Sequence, residues 1–486
     1  MQQQEKLSQQ NNLSRDSGFQ NRFVQVSADR THLCLNEKPW YFCGANCYYL
    51  MTRAADPSTL PDVISVLDDL QAAGITVVRT WAFADGPQWS ALQPSPGVFD
   101  ENVFCALDRV IAEAGARGIR ILFNLINFWS NYGGMGQYVA WSREAQGLPT
   151  TTHSLGEKKE EQTSAAAIAS EFYQDPWCQS TFLNFLKTLI LRTNTLTGVV
   201  YRDDPTILGF APANEPQCLC DPGCHGSTIA TWIHRTAAEI KKFDSNHLVF
   251  MDCEGFWGPG GQPSMTCTSS GAGGTTTGGG NPYDCTYNGC DFTADCASNY
   301  IDVACCHLYP DLWLQDASEQ SRLEFAVGWL DAHVEACANI LRKPLILSEF
   351  GKQRAVGTNS NSITTAREVY FQAIFNRCLN HMQQGRPLAG SMFWTAAAKS
   401  YPDYDGFTIY LPHKKQEIDQ GEGDSVAELI KDHAIAVQKL NESQVDVGVG
   451  GSREAGKKLT IAHMVSRTKE KLESKLDEIR KKLSVY

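Results

Sequence analysis

Thr206-Ile207-Leu208-Gly209-Phe210-Ala211-Pro212-Ala213-Asn214-Glu215-Pro216 is an apolar run that ends in a carboxylate and stops at a proline. Pro344-Leu345-Ile346-Leu347-Ser348-Glu349-Phe350-Gly351 repeats the pattern, with glycine as the stop. Short apolar runs bounded by Pro or Gly read as buried strands. In a parallel sheet or barrel, both acids then lie at carboxyl ends of strands, where such folds build their sites. Working outward, the same kind of run recurs at Tyr41–Cys47, Thr76–Trp81, Ile119–Asn127, His247–Cys253, Ile301–Leu308 and Gly390–Thr395. Helical spacing of apolar residues appears between them, at Pro61–Ala73, Val103–Ala114, Phe182–Thr193, Ile229–Phe243, Arg322–Leu341, Thr364–Gln383 and Val426–Leu440. Strands alternating with helices predict an α/β fold, a (β/α)₈ TIM barrel. A doubly wound open sheet is the structural rival, but no Gly-rich phosphate loop follows the first strand.

A barrel with insertions accommodates most of the 486 residues in one domain. Residues 1–21 are rich in Gln, Asn and Ser and read as a disordered tail; 22–440 reads as the barrel domain. Within it, 258–284 is Gly, Ser and Thr-rich, a flexible insertion flanked by cysteines. Residues 441–486 form a linker and a basic helical tail. Ser452–Tyr486 carries 10 Lys/Arg against 5 Asp/Glu, and Leu472, Leu476, Ile479 and Leu483 make a short heptad-like seam. A solvated helix is the plain reading of that seam, and weak self-association or attachment to an acidic surface is the other.

The net charge of −12 argues against nucleic acid as a partner, since phosphate binding needs a basic field. No apolar run is long enough for a membrane span. The 17 cysteines favour an oxidising, extracellular setting with disulfides, whereas the polar start Met1-Gln2-Gln3-Gln4 lacks a secretory leader. The cysteines are given the greater weight, and the sequons Asn12-Leu13-Ser14 and Asn441-Glu442-Ser443 agree with them. Cys218-x-Cys220-x₃-Cys224-His225 has zinc-ligand spacing, but in an oxidising setting disulfides are the simpler expectation.

Facing carboxylates suit cleavage of a glycosidic bond: one protonates the leaving oxygen, and in retaining enzymes the other attacks the anomeric carbon. The nucleophile must stay ionised, so a cation belongs beside it, and Arg79 ends the strand Val77-Val78-Arg79-Thr80-Trp81. Asn214 adjoins Glu215 as a hydrogen-bonding partner for a sugar hydroxyl, and His307 and Tyr309 end the sixth strand within reach of the carboxylates. Trp394 ends the eighth as a floor for a sugar ring. Any one of 54 acidic residues is more often a surface group, but Arg79, Glu215, His307, Glu349 and Trp394 all fall at strand ends. No Ser nucleophile elbow, paired-His zinc motif or phosphate-binding loop competes.

These residues stand in an ordered series. It runs from Phe42-Cys43-Gly44-Ala45-Asn46-Cys47-Tyr48-Tyr49-Leu50-Met51 and Arg79-Thr80-Trp81-Ala82-Phe83-Ala84-Asp85-Gly86 to Asn127-Phe128-Trp129-Ser130-Asn131-Tyr132-Gly133-Gly134. It continues through Asn214-Glu215-Pro216, His307-Leu308-Tyr309-Pro310-Asp311, Ser348-Glu349-Phe350-Gly351, Phe393-Trp394 and Tyr404-Asp405-Gly406-Phe407. Over about residues 22–440 the chain resembles the endo-β-1,4-mannanases of glycoside hydrolase family 5, plant and fungal-type branch. The resemblance implies a retaining hydrolase of β-mannan whose chemistry uses no metal or cofactor. Glu215 would be the general acid/base and Glu349 the nucleophile, a choice that rests on the resemblance. Arg79, Asn214, His307, Tyr309 and Trp394 would complete the inner shell, with Trp81 and Trp129 lining the sugar cleft. The chain departs from the pattern at Gly209–Ala213, where the family has a Trp-Glu-Leu type of run, and at Phe128, in place of a second Asn. A β-1,4-glucanase of the same fold is the alternative enzyme, and a silent carbohydrate-binding barrel the alternative of another class.

Overall fold

The computed structural model describes residues 23–150, 168–219, 226–259, 280–283, 288–354, 360–412 and 426–443. The predicted tail 1–21, most of the 258–284 insertion and the basic stretch Ser452–Tyr486 lie outside the described residues. The chain divides into two compact units, 1–440 and 441–486. All that follows concerns the first.

Three very short strands, β1 (Gln25–Val26), β2 (Leu33–Leu35) and β3 (Lys38–Pro39), form an antiparallel sheet. Eight parallel strands then close a barrel: β4 (Phe42–Asn46), β5 (Val77–Trp81), β6 (Arg120–Asn124), β7 (Ile207–Ala211), β8 (Leu248–Met251), β9 (Val303–Leu308), β10 (Leu345–Phe350) and β11 (Leu388–Phe393). Each strand neighbours the next in sequence, and β11 returns to β4 in the register Ser391↔Cys43. The TIM barrel expected from the alternation is therefore present.

Side chains alternate across a strand, and two apolar populations follow. Phe42, Val77, Leu122, Leu248, Phe250, Val303, Cys305, Ile346 and Met392 form one cluster that also takes in Val24 and Leu33 of the amino-terminal segment. This is the barrel's filling, continued below by the small sheet; Trp40 stacks on Phe42 at 5.2 Å. Space there is tight: a Cβ on Gly390 would lie 2.4 Å from the Phe42 ring. The intervening residues, such as Val78, Ile121, Phe210, Val249, Ala304 and Leu347, join the helices in the outer cluster. Helices Leu60–Ala72, Glu101–Ala116, Pro176–Ile190, Thr228–Phe243, Glu319–Ala336, Ser360–Gln383 and Ala427–Ser443 stand where the spacing predicted them, with ends shifted by up to about a turn and a half. Asp100 and Asp175 cap two of them through their side chains.

The strand ends differ from expectation in one informative place. β7 stops at Ala211 rather than Asn214, because Pro212 offers no N–H to the ladder. The chain rejoins at Asn214, whose N–H reaches the Ile126 carbonyl at 2.8 Å, so Glu215 stands beyond the sheet.

The cysteines also differ from a disulfide framework. Cys218 is disulfide-bonded, but Cys43, Cys47, Cys253, Cys296, Cys305, Cys306, Cys337 and Cys378 are buried free thiols. They pack as small apolar core residues. Cys220, Cys224, Cys267 and Cys285 lie outside the described residues. Among the described residues, no helix is long and apolar enough to cross a membrane.

Candidate active site

Going up the barrel by two residues from the apolar filling exchanges Val77 for Arg79, Leu122 for Asn124, Phe250 for Asp252, Cys305 for His307 and Ile346 for Ser348. These five side chains are at most 2% exposed, so they form a polar layer sealed beneath the mouth of the barrel. Burying charge is costly unless it is paired and hydrogen-bonded. Here it is. The Arg79 guanidinium donates to Asp252 Oδ2 (2.7 Å), Asn46 Oδ1 (2.8 Å) and Asn214 Oδ1, and contacts Glu349 Oε1 at 2.7 Å. Asp252 also accepts from Asn124 Nδ2 (2.7 Å), Ser348 Oγ (2.7 Å) and His307 Nε2 (3.1 Å). Burial opposes the Asp252 charge, but Arg79 and His307 outweigh it and hold the carboxyl well below its usual range.

The two candidate catalytic carboxylates rest on this layer. Glu349 lies inside β10, paired in register with His307 of β9, and is 4% exposed. Its second oxygen accepts from the Tyr309 hydroxyl at 2.6 Å. Burial raises the Glu349 carboxyl above its ordinary value, while His307 and Arg79 pull it back down.

Glu215 follows Asn214 on a left-handed backbone, φ 44°, and its side chain is 16% exposed. A non-glycine residue there costs on the order of 1–3 kcal/mol and persists only where its surroundings fix it. They do so from three sides. Its N–H bonds the Asp252 carbonyl (3.0 Å), Oε1 meets His307 Nδ1 (2.6 Å), and Oε2 accepts from Trp129 Nε1 (2.7 Å). Burial works against a charge on His307, but Glu349, Asp252 and Glu215 together raise its proton affinity well above normal. As an imidazolium it donates to a carboxylate at each ring nitrogen. An oxygen of Glu215 and one of Glu349 approach within 4.8 Å.

Every side chain singled out from the sequence belongs to this assembly, with one division of labour. Trp81, Trp129, Asn214, Glu215, Tyr309, Glu349 and Trp394 line a cavity of about 2390 Å³ at the barrel mouth. Arg79 and His307, placed by the resemblance in the inner shell around the substrate, sit beneath the cavity, 1% and 0% exposed, and so act through the carboxylates rather than on the sugar itself. Trp394 is fixed by Asp405, whose Oδ2 accepts its indole N–H at 2.8 Å.

Sequence reasoning passed over Asp252 and Glu254. Both follow the apolar strand Leu248-Val249-Phe250-Met251, the signature that drew attention to Glu215 and Glu349, and so could have been found by it. Glu254 is 4% exposed and lines the cavity; Oε1 accepts from Gln217 Nε2, and Oε2 has no partner among the described residues. Burial, reinforced by Glu215, pushes its carboxyl up to about 8.

Among the described residues, Glu215, His307 and Glu349 are the group whose donor atoms come near enough to ligate one ion. Both His307 ring nitrogens are already engaged, and Arg79 sits on Glu349. The donor set is thus committed to its own cations and is a poor fit for a metal.

Residues 21–267 and 275–442 match the family model described as glycoside hydrolase family 5 β-mannosidase-like. Mannan endo-1,4-beta-mannosidase 2 of Oryza sativa subsp. japonica is 38% identical over 392 residues, 80% of each chain. Mannan endo-1,4-beta-mannosidase 3 of Arabidopsis thaliana is 37% identical over 370 residues, 76% of this chain and 81% of that one. Among solved structures, the endo-1,4-beta-D-mannanase of Thermotoga petrophila superposes with a TM-score of 0.63 at 28% identity, covering 82% of this chain and 99% of its own. The endo-1,4-beta-mannanase of Rhizomucor miehei gives a TM-score of 0.63 at 28% identity, over 86% and 99%. A closed parallel barrel with paired carboxylates at its mouth, and a family model that matches residues 21–267 and 275–442, together show that the chain belongs to glycoside hydrolase family 5.

Proposed function

We propose that this chain is a retaining endo-acting hydrolase of β-1,4-mannan, with Glu215 as general acid/base and Glu349 as nucleophile. The observation that carries the reading is the approach of the two carboxylates to within 4.8 Å. Retaining enzymes hold theirs about 5–5.5 Å apart, whereas inverting ones leave about 6.5–9.5 Å for a water. In the first step, Glu349 attacks the anomeric carbon while Glu215 protonates the departing glycosidic oxygen, leaving a mannosyl ester on Glu349. In the second, Glu215 takes a proton from water, the water oxygen attacks the same carbon, and the ester bond breaks. Two inversions return the β configuration. Arg79 and Tyr309 stabilise the charge that returns to Glu349 on release.

The cavity, at about 2390 Å³, exceeds the roughly 300–1,000 Å³ of ordinary small-molecule sites, in keeping with a polymer laid across the barrel mouth. The endo-mannanase names of the relatives favour mannose as the repeating sugar. An extracellular place of work belongs to the same reading, supported by the disulfide at Cys218. So does the division into a tail, 1–21, a catalytic domain, 22–440, and a linker with a basic helical tail, 441–486, for which a solvated helix is the plain reading and weak self-association the other. The test is release of reducing ends from β-1,4-mannan and from a soluble cellulose derivative, with Glu349→Ala as control. Cleavage of mannan alone, abolished in the variant, is expected; cleavage of cellulose alone would move the substrate, and cleavage of neither would end the reading.

A further inference from the structure

Trp394 is the inner end of an aromatic row that leaves the carboxylates and runs out to solvent. Tyr48 lies parallel to it, ring centres 5.1 Å apart and planes 5° from parallel. The Tyr48 hydroxyl meets that of Tyr401 at 2.7 Å, and Tyr404 stands edge-on to Tyr401 at 5.4 Å. Tyr401 is 5% exposed, but Tyr404 is 71% exposed. All four rings line the cavity that holds Glu215 and Glu349.

A free-standing tyrosine is common on surfaces, but this one is mounted. Asp403 Oδ1 accepts from the backbone N–H groups of Gly406 (2.9 Å) and Thr408 (3.2 Å). Asp405 Oδ1 accepts from Phe407 N–H (2.9 Å), and its other oxygen holds the Trp394 indole (2.8 Å). One carboxylate thus ties the turn that presents Tyr404 to the ring beside the nucleophile. Arg53 backs the row, its guanidinium 5.0 Å from the centre of the Tyr401 ring and paired with Asp62 at 2.6 Å.

We propose that Tyr404 is the stacking platform of an outer sugar position of this cleft, taking a β-1,4-linked hexopyranose ring away from the bond being cut. The inference rests on the function proposed above. A pyranose docks its C–H face on an aromatic ring, so an exposed tyrosine, mounted on a tied turn in the same cleft as Trp394, suits a long chain held in that cleft. Long chains then gain a contact that short ones cannot reach.

Wild type, Tyr404→Ala and Tyr404→Phe are compared on β-1,4-mannohexaose and on a short aryl β-mannoside that ends beside Trp394. Tyr404→Ala is expected to lower kcat/KM on the hexaose about five- to tenfold, mainly through KM, with the aryl substrate changed less than about twofold and Tyr404→Phe near wild type. An equal loss on both substrates, or none on the hexaose, overturns the proposal. If wild type cuts no mannan, the mannanase reading has failed, and the platform is tested by cellohexaose binding to Glu349→Ala with and without Tyr404→Ala. An unchanged Kd there overturns it as well.

Discussion

Glu215 and Glu349 are introduced by the same kind of sequence, an apolar run stopped by Pro or Gly, yet the fold treats them in opposite ways. Glu349 stays within the ladder of β10, 4% exposed, between a guanidinium and a tyrosine hydroxyl. Glu215 lies beyond a broken ladder, on a left-handed backbone, more open to the cleft, with a second acid as neighbour. The difference matches two tasks. A nucleophile must stay ionised and hold its oxygen still, because small errors of placement are costly in bond formation. An acid/base must accept and release a proton and admit water, so it needs solvent and an environment that tolerates both of its states.

The comparison can be broken most severely at the carboxylates. Glu349→Ala is expected to abolish turnover on every mannoside. Glu215→Ala should lower kcat/KM on mannan by roughly 10²–10⁴-fold, and far less on an aryl mannoside whose leaving group needs no proton. Equal losses on both substrates would erase the distinction of roles. Next in size, Arg79→Ala leaves Asp252 and Glu349 with His307 alone to offset their charges, and should cost about 3–5 kcal/mol in a urea melt.

Glu254 sharpens the contrast from the side of Glu215. Its carboxyl is raised to about 8, so the native protein keeps a proton that the unfolded chain gives up near its ordinary value. The native state therefore binds more protons across that window, and stability falls as pH rises from about 4.5 to about 8. Glu254→Gln should remove on the order of 2–4 kcal/mol of that fall, read from denaturant midpoints at pH 5 and 8. The smallest effect is expected at Trp129→Phe, which takes one N–H from Glu215 Oε2. Loss of a hydrogen bond to a charged group, about 1.5–3 kcal/mol, should slow catalysis about ten- to hundredfold without changing the melting temperature.

Much of this was legible in the sequence, because the barrel strands carry unbroken apolar runs and the helices carry their own spacing. The strands of the small sheet, two or three residues each, are too short to show any periodicity, and went unseen. Helix Gly134–Ala145 was missed because it opens with Gly-Met-Gly, which reads as a turn. Within the site, residues at strand ends were readable, whereas Asn46, Asn124, Asp252 and Ser348 were not weighed. Their importance comes from sharing one inward-facing layer, and layers depend on register between strands, which a single sequence does not display. Pro212 shows the limit from the other direction. It stands inside an apolar run that reads as one strand, and only the fold reveals that it ends the strand and frees Glu215 from the ladder.

The central claim, that the two acids divide the work with Glu349 forming the covalent bond, is tested most directly by trapping. A 2-deoxy-2-fluoro-β-mannoside with a good leaving group slows both steps, and lets the glycosyl ester accumulate for peptide mass spectrometry. The account predicts a single label on Glu349, in the peptide containing Ser348–Gly351. A label on Glu215, or turnover to the α anomer with no label at all, would contradict it.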